Sequence, residues 1–115
     1  ENIEGTFSTS ASQWYHVVLT NDATTAVFYI NGSPITTTGV NTKSLEDLTN
    51  GLMIGDGDFR AGTSNTGWNG KIDEVGVWNT ALTAANVQNI YNATTTGKTA
   101  DLSSLSPVAW YRMGD

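Results

Sequence analysis

The chain has 115 residues, enough for a single domain over residues 1–115 with its own core, and it contains no cysteine to form disulfides. Its formal charge of −6, with only five basic residues, offers no positive surface to a phosphate backbone and excludes nucleic acid as an expected partner. No apolar run approaches the roughly 20 residues that span a bilayer, so membrane insertion is not expected.

Charged residues make up only 14% of the chain, below the roughly 25% typical of soluble domains. Threonine, asparagine, serine and glycine take their place, and aromatic residues are frequent. This composition is typical of all-β sandwiches with many turns and favours an extracellular, cell-surface or virion-surface location.

Two segments in the first third of the chain predict an antiparallel hairpin. Trp14 to Thr20 and Ala26 to Ile30 are rich in strong β-formers, and the five residues between them are turn formers. Asn31-Gly32 then predicts a type I′ turn, because this dipeptide accepts positive φ at both positions. A short return strand is expected after it, limited by Pro34.

The middle of the chain alternates loops with short apolar runs. Gly51 to Gly55 predicts a buried strand, and residues 56–70 form a loop rich in glycine, asparagine and acids. Gly70 to Trp78 predicts a strand with apolar groups on both faces, which indicates a central position. The adjacent acids Asp73 and Glu74 inside it then need hydrogen-bond or metal partners.

A short helix is predicted near residues 83–92, with Thr83 as its N-cap and apolar residues at helical spacing. A last strand is expected from Val108 to Met113. Residues 99–115 therefore read as a closing strand or as the start of a following module.

Five segments, in this order, resemble the laminin G-like (concanavalin A-like) jelly-roll family: Trp14–Val18, Phe28–Gly32, Met53–Gly55, Gly70–Val75 and Trp78–Thr83. The resemblance covers roughly Gln13 to Tyr91. It implies an all-β, antiparallel two-sheet sandwich with one short helix. Family members usually have several strands upstream of the first segment, where this sequence has a dozen residues, so we expect a shortened or partial domain. Unpaired sheet edges would then permit pairing between copies.

Asp56 and Asp58 predict a calcium site, because carboxylates two residues apart on a glycine-flanked loop can wrap this cation. The chain also resembles the pentraxin branch of the superfamily here, which implies calcium on the loop after the corresponding strand. The full acid-amide-acid run of that loop is absent, so solvated turn acids are the alternative. Asp73 or Glu74 either completes such a site, binds a structural ion of its own, or caps N–H groups of the preceding loop and holds the turn into the helix.

Trp68 predicts a sugar-binding site together with Asn65, Asn69 and Phe59. An aromatic face suits the apolar side of a pyranose, and amides suit its hydroxyls. The alternative is a core tryptophan, which is the expectation for Trp14, Trp78 and Trp110.

Catalysis is not expected. The lone His16 lies in a predicted strand without a serine or cysteine nucleophile motif. The acid pairs Glu46-Asp47 and Asp73-Glu74 are adjacent, so within a strand their members face opposite sides. The strand motif of sandwich glucanases, Glu-x-Asp-x-x-Glu, is absent.

The sequence therefore predicts a non-catalytic, lectin-like carbohydrate-binding or adhesion module whose partner is a glycan or surface polysaccharide. The alternative is a structural module of a virion or cell-surface protein that acts through subunit contacts. An accessory domain detached from a glycoside hydrolase would share the chemistry of the first hypothesis. An exposed Trp68 in a groove favours glycan binding, whereas a buried Trp68 with extensive edge pairing between chains favours the structural role.

Overall fold

The computed structural model describes residues 4–38, 54–55, 68–94 and 100–113. Within them, all strand pairs are antiparallel and lie in three small sheets, ordered β1-β5, β2-β3-β4 and β6-β7. The elements are β1 (Glu4–Gly5), β2 (Val17–Asn21), β3 (Ala26–Ile30), β4 (Ser33–Pro34), β5 (Thr37–Thr38), β6 (Val75–Val77), helix α1 (Ala84–Thr94), a 3₁₀ helix (Ser103–Leu105) and β7 (Ala109–Tyr111). The predicted fold class, all-β with one short helix, is confirmed.

The predicted hairpin is formed by β2 and β3, which pair from Val17↔Ile30 to Asn21↔Ala26. Asp22 organises the turn between them: its Oδ1 accepts hydrogen bonds from the backbone N–H groups of Thr24 and Thr25 at 2.9 and 2.7 Å. These bonds and one from the Thr24 hydroxyl lower the pKa of the Asp22 carboxyl. The Asp22 N–H also donates to the Thr25 carbonyl oxygen at 3.2 Å, so the turn forms from local hydrogen bonds.

The second predicted turn is also present. Asn31 and Gly32 have φ values of 51° and 77°, as a type I′ turn requires. The Asn31 N–H donates to the His16 carbonyl oxygen at 2.8 Å, and the His16 N–H donates to Asn31 Oδ1 at 3.0 Å. This reciprocal pair fixes the start of β2, which begins at Val17 and not at Trp14 as predicted.

The predicted strand from Gly70 to Trp78 is reduced to the three residues of β6. Glu74 has a φ of 53°, a left-handed conformation that interrupts an extended chain just before the strand. The described residues give β6 one neighbouring strand, β7, so the predicted central position is not observed in that part of the chain. β7 pairs with it through Val75↔Tyr111 and Val77↔Ala109.

A core cluster lies beside this small sheet. Its buried members are Ile90 of α1 together with Ala100 and Leu102. Four partly buried side chains pack against it: Trp78, Leu82, Leu105 and Trp110. Helix α1 begins as predicted, because Thr83 Oγ1 accepts a hydrogen bond from the Asn86 N–H at 3.2 Å. None of the described helices has the length and apolar character needed to cross a bilayer.

The tryptophans expected in the core differ in their surroundings. Trp78 is partly buried, and its Nε1 donates to the Leu105 carbonyl oxygen at 3.1 Å. Trp14 is 66% exposed, so its assignment to the core is wrong. The reason is that β2 starts three residues later, and Trp14 lies in an irregular segment where sheet alternation does not direct its side chain inward.

Candidate functional site

Trp68 is held by backbone contacts on both sides. Its N–H donates to the Gly55 carbonyl oxygen at 2.6 Å, and its indole Nε1 donates to the Lys71 carbonyl oxygen at 3.3 Å. The ring also lies close against Gly70, where an added Cβ would come within 2.8 Å of Nε1. Glycine at position 70 therefore leaves room for the indole to fold over the turn that leads towards β6.

This contact leaves much of the side chain in solvent. Trp68 is 55% exposed, and the neighbouring Asn69 is exposed as well. We refer to these two residues as the Trp68 surface. It combines an aromatic ring with an amide that both donates and accepts hydrogen bonds, the two chemical groups that a sugar ring needs.

The structure therefore brings together two of the four residues predicted to bind sugar. Phe59 and Asn65 lie outside the described residues, and their contribution stays a prediction. The expectation of a core tryptophan does not hold for Trp68, because its indole N–H is satisfied by a backbone carbonyl without burial of the ring.

Asp73 is exposed and already engaged with backbone. Its Oδ1 accepts hydrogen bonds from the Glu74 N–H at 2.9 Å and from the Met113 N–H at 3.3 Å. The second bond joins the start of β6 to the segment after β7. Asp73 therefore caps backbone N–H groups, which was the alternative to metal binding. The N–H groups are those of Glu74 and of Met113 after β7, and neither lies in the preceding loop.

Asp56 and Asp58 lie outside the described residues. Within the described part of the chain, no group of three or more histidine, cysteine or acidic residues is placed to hold a metal ion. Calcium at Asp56 and Asp58, with or without Asp73, therefore stays a prediction.

If calcium occupies that loop, removing it with EDTA is expected to lower Tm by several degrees, because an ion bound only to the folded state stabilises it by mass action. Thermal melts in calcium and in EDTA measure the shift. Asp58→Asn should reduce it, since loss of a carboxylate weakens calcium binding. A Tm that is identical with and without EDTA would remove Asp56, Asp58 and Asp73 as ligands.

Glu74 has a role that the sequence did not reveal. Its side chain is only 18% exposed, and Oε2 accepts a hydrogen bond of 2.6 Å from Trp110 Nε1. Oε1 is buried without a hydrogen bond, at 3.6 Å from Arg112 Nε. The Arg112 guanidinium in turn lies 5.1 Å from the centre of the Trp110 ring. The sequence indicated that a carboxylate here needs a partner, but the partner lies 36 residues away.

His16 is partly buried between the hairpin and helix α1. Its ring stacks on Tyr91 with centroids 6.0 Å apart and an interplanar angle of 24°. Nδ1 is buried and has no hydrogen-bond partner. Burial lowers the pKa of the imidazole below its usual value of 6.5.

Comparison with known proteins agrees with this architecture. A crystal structure of an S-layer domain-containing protein from Clostridium thermocellum, residues 221–444, superposes with a TM-score of 0.59 at 22% sequence identity. The match covers 76% of this chain and 43% of that one, so this chain spans less than half of its neighbour's length. A search of curated protein sequences gives no match.

The sequence itself gives the assignment. A laminin G family model described as the concanavalin A-like lectin/glucanases superfamily matches residues 1–88, which is more than three quarters of the chain. The segments that carried the resemblance, from Trp14 to Thr83, all lie within this match. The chain therefore belongs to the concanavalin A-like lectin/glucanase superfamily.

Proposed function

We propose that this chain is a non-catalytic surface module that binds a glycan or surface polysaccharide through the Trp68 surface. One observation carries the proposal: Trp68 is 55% exposed while its main chain and its indole N–H are both bonded to backbone. An exposed tryptophan held in place can stack on a sugar without first losing conformational freedom, which is the main benefit of preorganisation.

The positions of the acids support a role without catalysis. Asp73 accepts two backbone hydrogen bonds, and Glu74 is bonded to Trp110. Both members of the acid pair nearest the Trp68 surface therefore have structural partners. Glycoside hydrolysis needs two carboxyl groups facing one substrate across roughly 5 to 10 Å, and this pair does not offer that arrangement.

The relatives support a surface location. The superfamily includes lectins by its own description, and the structural neighbour is an S-layer domain-containing protein. Together with the low content of charged residues, these relatives favour an extracellular or cell-surface protein. A virion surface fits the same composition.

Trp68→Ala is expected to weaken glycan retention at least tenfold, because an aromatic residue at the centre of a binding site typically contributes about 2 kcal/mol or more. Tm should stay within a few degrees, since the ring is half exposed. Binding to an array of immobilised neutral and acidic glycans, followed by affinity measurement on the best one, tests the expectation.

Trp14→Ala is the matched control. It removes another exposed tryptophan, 66% accessible, that the proposal does not assign to the site, and should leave retention unchanged. Equal loss of glycan retention in both variants would indicate nonspecific adsorption through exposed tryptophans. Full glycan retention by Trp68→Ala would overturn the assignment of the site. A wild-type chain that binds no glycan on the array would overturn the proposed function itself.

The second candidate is a structural module that acts through subunit contacts without glycan binding. It is favoured by the exposure of Val17 and Leu19 on β2, at 55% and 47%, and of Trp14 before the strand, at 66%. In the described residues, β2 has a neighbouring strand only on its β3 side, so its other edge can pair with a second copy. A stable dimer in sedimentation experiments, combined with no glycan binding, would favour this candidate.

A further inference from the structure

Helix α1 contacts the hairpin beside the turn at Asn31-Gly32. On the hairpin side lie His16 and Gly32, and on the helix side lie Gln88 and Tyr91. The His16 ring stacks on Tyr91, and a Cβ added to Gly32 would come within 3.0 Å of both helix side chains. The absence of a side chain at Gly32 therefore permits the helix to approach the turn closely.

The backbone of His16 is held in place beside this contact, and its Nδ1 is not hydrogen-bonded. The backbone N–H and carbonyl of His16 are both bonded to Asn31, as described above. Nδ1 is buried and unpartnered. In the neutral ring this atom can be a bare acceptor, but in the imidazolium it becomes an N–H donor with no acceptor to receive it.

Among the described elements packed against His16, none carries a charge that would compensate a protonated ring. Strands β2, β3 and β4 and helix α1 contain no acidic or basic side chain. The titratable groups on the elements packed against His16 are the phenols of Tyr91 on α1 and Tyr29 on β3. A carboxylate, which would stabilise an imidazolium, is not among them.

We propose that His16 makes the docking of helix α1 on the hairpin sensitive to acid: protonation of its ring weakens the stacked contact and loosens the helix while the hairpin remains formed. The charged ring would have to give up its hydration in a place where the described residues supply no counter-charge. The face of Tyr91 attracts a cation, but at 6.0 Å this attraction is weaker than the lost hydration. The hairpin keeps its own backbone ladder and turn bonds, which do not involve the imidazole.

The direction in which the stability of the docked helix changes with pH follows from the difference between the folded-state and unfolded-state pKa of His16. Burial places the folded-state pKa below the unfolded value of 6.5, so the unfolded state binds the proton more tightly. The stability of the docked state is full above pH 6.5 and is lost as the pH falls through the folded-state pKa. Carboxyl groups, with ordinary pKa values near 4, titrate mostly at lower pH.

His16 is the only histidine in the chain, so its titration can be followed directly. By NMR we expect the imidazole to titrate below pH 6.5. Between pH 7.5 and 5.0, Tm of the wild type should fall further than Tm of His16→Phe, which keeps a stacking ring but binds no proton. Amide hydrogen exchange, corrected for intrinsic rates, should rise in α1 on acidification and change little in β2 and β3.

Tyr91→Phe is the matched control, because it keeps the ring and should preserve the pH dependence. An imidazole that titrates at or above 6.5, or parallel Tm profiles for wild type and His16→Phe, would overturn the proposal. Equal loss of protection in the hairpin and the helix would also overturn it, since the whole domain would then respond. If His16→Phe does not fold, the NMR titration of His16 and the hydrogen-exchange pattern of the wild type test the proposal by themselves.

Discussion

Leu102→Ala is expected to lower the free energy of unfolding by about 2–5 kcal/mol, the usual range for a leucine removed from a core. Leu102 is 4% exposed and belongs to the cluster with Ile90 and Ala100. It also reaches the small sheet, because its Cδ1 lies 3.2 Å from the position that a Cβ would take on Gly76. The truncation therefore opens a cavity where the helix, the 3₁₀ segment and β6 meet.

A loss of this size is a large fraction of the free energy of unfolding of a typical domain, which is about 5–15 kcal/mol. Urea denaturation followed by tryptophan fluorescence measures it. Leu19→Ala is the matched control, because Leu19 is 47% exposed on β2 and should contribute less than about 1 kcal/mol. If both variants lost the same stability, Leu102 would not be a core residue.

Trp110→Phe is expected to lower the free energy of unfolding by about 1–3 kcal/mol, because it leaves the largely buried Glu74 carboxylate without its indole donor. The bond is 2.6 Å long and involves a charged acceptor, which places it among the stronger hydrogen bonds in proteins. Phenylalanine retains most of the apolar packing, so the loss reports chiefly on the polar pair.

A double-mutant cycle with Glu74→Gln isolates the interaction. In the Trp110→Phe background, Glu74→Gln should be nearly neutral or stabilising, since it removes a largely buried charge that has lost its indole donor and keeps only the half-exposed Arg112 at 3.6 Å. Arg112→Gln serves as a comparison and should change stability by only about 0–1 kcal/mol, because Arg112 is half exposed and 3.6 Å from Oε1. A larger effect of Arg112→Gln than of Trp110→Phe would make the ion pair the dominant partner of Glu74.

The sequence predicted the elements whose causes are local. The turn at Asn31-Gly32, the Thr83 cap and the β2–β3 hairpin depend on the backbone preferences and hydrogen bonds of residues close in the chain. Family membership was also predictable, because the order and spacing of the strand segments survive in the sequence, as the match over residues 1–88 shows.

The candidate site was predictable only in part. Trp68 and Asn69 could be named from a glycine- and asparagine-rich loop, but a tryptophan in such a loop can be exposed or buried. Its exposure depends on contacts with Gly55 and Lys71, which place the ring over Gly70. The same uncertainty applied to Trp14, and there the prediction failed.

The sequence by itself therefore determined the hairpin and the helix through short-range chemistry, and the fold class and superfamily through the order and spacing of its strand segments. Only the tertiary structure decided how far the strand after Gly70 extends and which partner Glu74 receives. Glu74 ends the extended chain with its left-handed conformation, and its side chain bonds to Trp110, 36 residues away. Such a pairing depends on how the chain packs and leaves no periodic signal in the sequence.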